Sequence, residues 1–416
     1  MHLSTILTSC PTRLASYISR LSKQYRDHVL FFALSPNVAS PDIAQLVRHL
    51  TTFSPHTIGC LSAPLPHHYS SLVSCSFAIF QHDECIPFRS QIPGREAPQV
   101  GRWHSFRHKS PQSHVLGADV PSGRIDWESV WDQSLTNNEL PPALLTLSRD
   151  EIETIIYLSD SAPEGLSNAL ASFSRSTKLG LFAASTPFIT GRSVTLFEND
   201  KIHDSGAVGL ALRYPKANAK VQFVGMKPLC DPMVVTQSEG NLIISLDNKN
   251  PTQLLLAAIR QSGVEFSASE SLKDSDEFSL ATLQADDPHQ MYSIMSGDPS
   301  RGTIALKSMS APLPGARVQF FHRPKSTTVT IPQGMTNHSN LRQTLGFVVC
   351  PEMRHYEHHD GSADDIEHVL PNTFLAGSES GFIVSRVQNG TGESPWTCSI
   401  PGGLATLSWN IGSPTV

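Results

Sequence analysis

An α+β fold, two domains of mixed β-sheet flanked by helices, is what this sequence predicts, and three observations carry it. The chain has 416 residues, more than one ordinary hydrophobic core supports. Charged residues make up only 16% of it beside 30 Pro and 26 Gly, a balance that favours strands and tight turns over long solvated helices. Short continuous apolar runs such as Val29–Leu34 alternate with helix-period segments carrying Ile43, Leu46, Val47 and Leu50.

The elements follow in order. Val29–Leu34 has the length and apolar continuity of a strand buried on both faces, and Ser35-Pro36-Asn37 breaks it. Ser40-Pro41-Asp42 supplies a cap, a Pro for the first turn and an acid at the positive dipole end of the next helix. His56–Leu61 and Leu72–Phe80 are further strands. From Asp83 to Gly123 the pattern collapses into Pro, His, Arg and Gln, a long irregular insertion. A short amphipathic helix is expected at Asp126–Trp131, strands at Leu144–Leu147 and Thr154–Leu158, a helix at Pro163–Phe173 and a strand at Leu179–Ala184.

The stretch Thr186–Phe197, followed by Asp204–Leu212, has the pattern of two apolar strands around a polar turn. Tyr214–Asn218 marks a boundary, which divides the chain into domains at 1–214 and 219–416. Beyond it Val221–Val224 is a strand, and Met233–Thr236 pairs with Leu242–Leu246 around Ser238-Glu-Gly-Asn241. Asn248-Lys-Asn-Pro251 caps a helix through Leu254, Leu255, Ala258 and Ile259 that stops at Gly263. Strands are then expected at 278–283, 291–295, 303–307, 316–321, 345–349, 381–387 and 404–409. A His- and Asp-rich loop spans 352–371.

Composition also excludes several classes. A net charge of −6 with no basic stripe argues against nucleic acid. Seven scattered cysteines, odd in number and never spaced as CxxC, suit a reducing compartment, and the expected location is the cytoplasm. No apolar run reaches the length of a membrane span. The sequons at Asn337 and Asn389 lack a secretory leader and are read as coincidence. Residues 1–26 carry Arg13, Arg20, Lys23 and Arg26, eight Ser or Thr, and no acid before Asp27. That is presequence-like, which keeps a mitochondrial location open, whereas Leu14, Ile18 and Leu21 at helical spacing make it a domain helix.

Chemistry is sparsely signalled. Gly297 and Gly302 have the GxxxxG spacing of a phosphate loop, but Thr303 stands where Lys is required and a strand follows instead of a helix. What remains is a turn in which Gly297, Asp298 and Arg301 could meet a carboxylate, or a plain connection. In the 186–206 segment Thr186, Thr190 and Ser193 offer hydroxyls, and Gly191 lets a ligand approach the backbone. Arg192 could fork onto an anion, and Asp204, Ser205 and Gly206 add a carboxylate and a flexible turn. The alternative is a hairpin whose turn residues serve only the turn. His355, Glu357, His358, His359 and Asp360, with Asp364, Asp365, Glu367 and His368, have metal-ligand chemistry without a metalloprotease pattern, so a solvated loop is expected and no metal or other cofactor is assigned. No nucleophile elbow, catalytic Cys context or dinucleotide fingerprint is present, and the sequence names no reaction.

Several segments together resemble the FIST family: Val29–Leu34, Ile58-Gly-Cys-Leu-Ser62 and Thr186–Leu212, then 225–246, the helix after Pro251, Ser296–Leu306, Gly315–Phe320 and Ser399–Leu404. The resemblance implies a FIST N-terminal and a FIST C-terminal domain in a eukaryotic, fungal-type member without an F-box. It implies binding of small ligands, amino acids among them, as the sensory part of signal transduction. Arg192 and Arg301 are the expected carboxylate-gripping residues, with Thr190 and Asp204 as polar partners, in a crevice between domains. Two alternatives stand beside this: a protein-interaction adapter using the 83–123 and 352–371 loops, and an enzyme whose acid–base groups converge only in space.

Overall fold

The computed structural model describes residues 1–66, 69–92, 140–213, 216–263, 278–298, 302–308, 310–324, 327–332, 335, 342–351, 367–388 and 390–409. The helix expected at 126–131, most of the 83–123 insertion and most of the 352–371 loop lie outside them.

Along the chain, β1 (His2–Thr8) leads into α1 (Pro11–Gln24), then β2 (His28–Leu34), α2 (Ser40–Thr51), β3 (His56–Leu61), β4 (Val73–Gln81) and β5 (Cys85–Ser90). There follow α3 (Pro142–Leu145), β6 (Thr154–Ser159), α4 (Glu164–Leu170), β7 (Thr177–Phe182), α5 (Pro187–Thr190), β8 (Leu196–Glu198), β9 (Lys201–His203) and β10 (Ala207–Leu212). Next come β11 (Asn218–Phe223), β12 (Lys227–Pro228), β13 (Met233–Glu239), β14 (Leu242–Leu246), α6 (Pro251–Gln261), β15 (Phe278–Gln284), β16 (Asp287–Asp298), β17 (Thr303–Leu306) and β18 (Arg317–His322). The last are β19 (Gln343–Val349), β20 (Glu367–Pro371), β21 (Thr373–Ser378), β22 (Phe382–Ser385), β23 (Val387–Gln388), β24 (Thr391–Gly392), β25 (Trp396–Cys398) and β26 (Gly403–Trp409). Among the described residues strands take 46% and helices 17%, so the α+β expectation holds with the weight on β.

Three sheets share one core. Their orders are β20-β1-β4-β2-β3-β8-β9, β25-β22-β7-β6-β10-β5 and β11-β26-β19-β21. Their central strands, β2, β6 and β19 among them, alternate between two buried faces, which is why they read as nearly continuous apolar runs. Val29, Phe31 and Ala33 of β2 point into the shared core with Ile156 and Leu158 of β6 and Leu345, Phe347 and Val349 of β19. Leu30, Phe32 and Leu34 face the other way, against Leu14 and Ile18 of α1 and Leu46 and Leu50 of α2. Ile155 and Tyr157 likewise meet Leu144 of α3 and Leu166 and Leu170 of α4. Phe374 of β21 links two sheets at the centre, 5.5 Å from the Phe31 ring and 6.3 Å from Phe347.

The fourth sheet closes on itself. Beyond the order β12-β18-β13-β14-β17-β16-β15, β18 also pairs with β15, which makes a six-stranded barrel. Val235, Ile243, Leu280, Ile304 and Phe320 fill it, and α6 packs Leu255, Ala258 and Ile259 onto the same cluster. Asn250 caps α6 by accepting from the Gln253 amide at 3.0 Å, as its sequence signal required.

Pairing crosses the middle of the chain. β20 pairs with β1 and β22 with β7, so sequence after residue 366 completes sheets begun before residue 213. Polar side chains assist. Thr5 donates to the Thr373 carbonyl at 2.8 Å and accepts from the Leu375 amide at 2.9 Å, while Ser76 donates to the Leu375 carbonyl at 2.5 Å. Two buried hydroxyls thus provide β21 with the partners that a neighbouring strand would otherwise supply. Thr5→Val, close in shape, leaves the Leu375 amide without its acceptor; a loss of about 1–3 kcal/mol in a urea melt is expected.

Some expectations need correction. Leu144–Leu147, expected as a strand, begins in the helical turn α3, because Pro141 and Pro142 set up a helix start. Thr186–Thr190 is not strand but the single turn α5, with Pro187 at its start and Gly191 in the left-handed region (φ 73°) at its end. The residue capping α2 is Ala39; Ser40 is already helical and makes no side-chain cap bond. Residues 85–90, read as irregular, form β5. Its Pro87 is accommodated because β5 is an edge strand.

Candidate functional site

The 186–206 segment folds as a knot of hydroxyls. Thr186 donates to the Arg192 carbonyl at 3.1 Å, and the Thr195 hydroxyl lies 2.8 Å from those of both Thr186 and Thr190. These hydroxyls satisfy one another and brace α5. Ser193 donates to the Asp204 carbonyl at 3.0 Å, so the structure brings the two expected halves, 186–193 and 204–206, together. Gly191, Arg192, Asp204 and Ser205 are exposed, and Phe188 on α5 stands fully in solvent.

Beneath this turn lies a charged cluster that single-sequence reading missed. The Gly206 amide donates to the Asp160 carboxylate at 2.6 Å. Arg89 donates to the carbonyls of Ser90, of Ser205 at 2.6 Å and of Ala207 at 2.9 Å. Gly206 (φ 75°) is required here: a Cβ would sit 2.3 Å from the Ser90 carbonyl and 2.5 Å from the Arg89 guanidinium. Partial burial pulls the Arg89 pKa down, and the nearby carboxylates of Glu198, Asp160 and Asp204 oppose that pull. Arg89 and Asp160 thus support the Asp204-Ser205-Gly206 turn.

Of the 297–302 turn, Gly297, Asp298 and Gly302 are described, at the barrel strands β16 and β17. Gly297 and Asp298 of β16 pair with Ile304 and Thr303 of β17, and Gly302 (φ 77°) sits against the Asn250 side chain. Arg301 lies outside the described residues. Among the described residues no hydrogen bond or ion pair connects 297–302 with 186–206. Of the predicted His/Asp cluster, 355–365 lies outside the described residues, while Glu367 and His368 stand on the strand β20, Glu367 3.7 Å from Arg13 and His368 against the Tyr69 ring; among the described residues no group of His, Cys, Asp and Glu could hold a metal.

A different concavity appears where the chain passes from β10 to β11. A cleft of about 290 Å³ is lined by Thr177, Lys216, Ala217, Asn218, Ala219, Arg386 and Val387. Its fixed wall is Arg386. The Arg386 Nε and Nη2 donate to the two carboxylate oxygens of Glu393 at 2.8 and 3.0 Å. The indole of Trp396 donates to Glu393 at 3.0 Å, and the guanidinium lies 5.7 Å from the Trp396 ring. His289 of β16 joins in, its Nε2 3.2 Å from Glu393 and 2.9 Å from Arg386. Burial works against the Glu393 charge, but hydrogen bonds from His289 and Arg386 and the Arg386 charge outweigh it and hold the carboxyl at about 2. The pairing of β23 with β24, with Gly390 in the left-handed region (φ 83°) at the turn, folds Glu393 back beside Arg386.

The sequence matches the FIST N domain over residues 27–249. A search of curated proteins returned no match.

Proposed function

This chain belongs to the FIST N domain family, whose domains are small-ligand-binding sensory modules of signal transduction, and from that premise we propose that it binds a small anionic, amino-acid-like metabolite in the Lys216–Arg386 cleft. The observation that carries the reading is the arginine in the wall. Arg386 is only 9% exposed and already oriented by Glu393 and Trp396, so a carboxylate meeting it would find a group whose ordering cost has been met in folding. Lys216 adds a second cation on the same cleft, and Asn218 and Thr177 add polar groups. At about 290 Å³ the space suits a metabolite rather than a larger ligand. Five of the lining residues, Thr177 and Lys216 to Ala219, fall inside the matched segment. We read residues 219–416 as the companion C-terminal unit, which contributes Arg386 and Val387. No helix among the described residues is long and apolar enough to cross a membrane.

Thermal denaturation against a panel of L-amino acids and short dicarboxylates tests this. One chemical class is expected to raise the midpoint by several degrees, since ligand at a hundred times Kd adds ~2.7 kcal/mol to the native state. Lys216→Glu, at an exposed position, is expected to abolish that gain without moving the unliganded midpoint. Arg192→Ala is expected to retain it; the reverse pattern would move the site to the 186–206 turn. A panel in which no compound shifts the midpoint would defeat the reading.

A further inference from the structure

A second concavity lies on the outer face of the first sheet, in the helical layer. A groove of about 580 Å³ between α1 and α2 is lined by Thr12, Ala15, Ser16, Ser19, Arg20 and Lys23 of α1 and by Gln45 and His49 of α2. We propose that this groove docks an acidic helical segment of a partner protein, independently of the small-ligand cleft.

Charge is the first argument. The whole chain carries −6, yet the only acid in the two helices is Asp42, at the start of α2. Arg13, Arg20 and Lys23 of α1 and Arg48 of α2 are all exposed. Arg13 reaches Glu367 at 3.7 Å, whereas among the described residues Arg20 and Lys23 form no ion pair. Arg20 lies across the Tyr17 ring at 4.8 Å, which fixes its stem and leaves its charge outward. Such a surface is complementary to carboxylates and costs the isolated protein like-charge repulsion.

Shape is the second. Leu14, Ile18 and Leu21 turn inward to the core, so the groove floor is built from the small residues Ala15, Ser16 and Ser19. Small side chains let a third helix approach at ordinary packing distance. Ser16 and Ser19 donate to the Thr12 and Ala15 carbonyls at 2.9 Å each, so their hydroxyls are occupied and recognition falls to the cationic ends. From Thr12 to Lys23 the groove runs about 16 Å, three turns of a bound helix, which presents acids at i, i+3 or i+4, and i+7. A bilayer is disfavoured by the same face. The exposed large apolar side chains of the described residues are Leu145, Phe188, Ile202, Val234 and Leu313, none of them on α1 or α2 to enter lipid.

The probe is a fluorescein-labelled helical peptide of roughly 15 residues with Glu on one face. Its counterpart carries Gln at the same positions. In low-salt buffer the full chain is expected to raise the anisotropy of the Glu peptide and not that of the Gln peptide. Arg20→Glu with Lys23→Glu is expected to weaken binding by at least about tenfold. Ser16→Trp, which blocks the floor and keeps every charge, is expected to do the same, and it decides the matter alone should the charge-reversed protein fail to fold. Failure of the full chain to bind the Glu peptide, or equal binding by the variants, overturns the proposal. So does binding of phosphatidylserine vesicles or an RNA oligomer in preference to the peptide.

Discussion

Deletion of residues 1–9 is expected to abolish cooperative folding. β1 lies between β20 and β4, and its three large buried side chains enter three different clusters: Leu3 the shared core, Ile6 the layer under α1 and α2, and Leu7 the cluster with Leu65, Leu375 and Leu404. Each such side chain contributes about 1.5–3 kcal/mol by burial, with a further cavity term when it is removed. The deletion also strips β4 and β20 of a backbone partner and removes Thr5 from β21. Together these losses reach the whole stability of an ordinary domain, about 5–15 kcal/mol. Soluble yield and a circular-dichroism melt check it. A sigmoidal melt close to that of the full chain would refute this account of the sheet.

Glu393→Ala is expected to cost about 3–5 kcal/mol, because it leaves the Arg386 guanidinium buried without its counter-charge. The same pair predicts a pH dependence. The Glu393 carboxyl sits at about 2 in the folded protein against an ordinary 4.5, held there despite burial by His289 and Arg386. A depressed folded value means that the stabilisation is fully present above the unfolded value of 4.5 and is lost as pH falls from there through about 2. At 1.36 kcal/mol per pH unit the gap corresponds to roughly 3 kcal/mol. Glu393 is 12% exposed, so solvent screening removes little of it. Melting midpoints measured from pH 6 to pH 2 should fall more steeply for the native chain than for Glu393→Gln. Parallel slopes would show that the pair carries no such linkage.

The strands most legible in the sequence are those whose two faces are both apolar, while the half-exposed β13–β14 hairpin is legible from its turn residues. Val29–Leu34, and Leu179–Ala184 for the strand that forms at Thr177–Phe182, are legible because burial on both sides leaves an apolar run. β1 is not, since Ser4, Thr5 and Thr8 interrupt it, and the burial of Thr5 makes sense only once its hydroxyl meets β21. β5 was hidden by Pro87, acceptable there only at a sheet edge. At Thr186-Pro-Phe-Ile-Thr-Gly191 the apolar residues suggest a strand, but Pro at the start and Gly at the end of a helical turn is the signal that the fold obeys. The site divides in the same way. That 186–193 meets 204–206 follows from nearby sequence, whereas Arg89 meeting the carbonyls of Ser205 and Ala207 depends on contacts more than a hundred residues apart.

The crossing of strands between the two ends of the chain has a consequence in time. Thr5 finds its Thr373 partner 368 residues later. At 5–20 residues per second, roughly 20–70 s separate the emergence of the two from a ribosome. Throughout that interval β1 waits for β20, and over its later half β7 waits for β22, each with a row of unpaired amides and carbonyls on view. Because strands beyond residue 366 close sheets begun by β1 and β7, the nascent protein is exposed to edge-to-edge association for as long as the intervening sequence takes to be made.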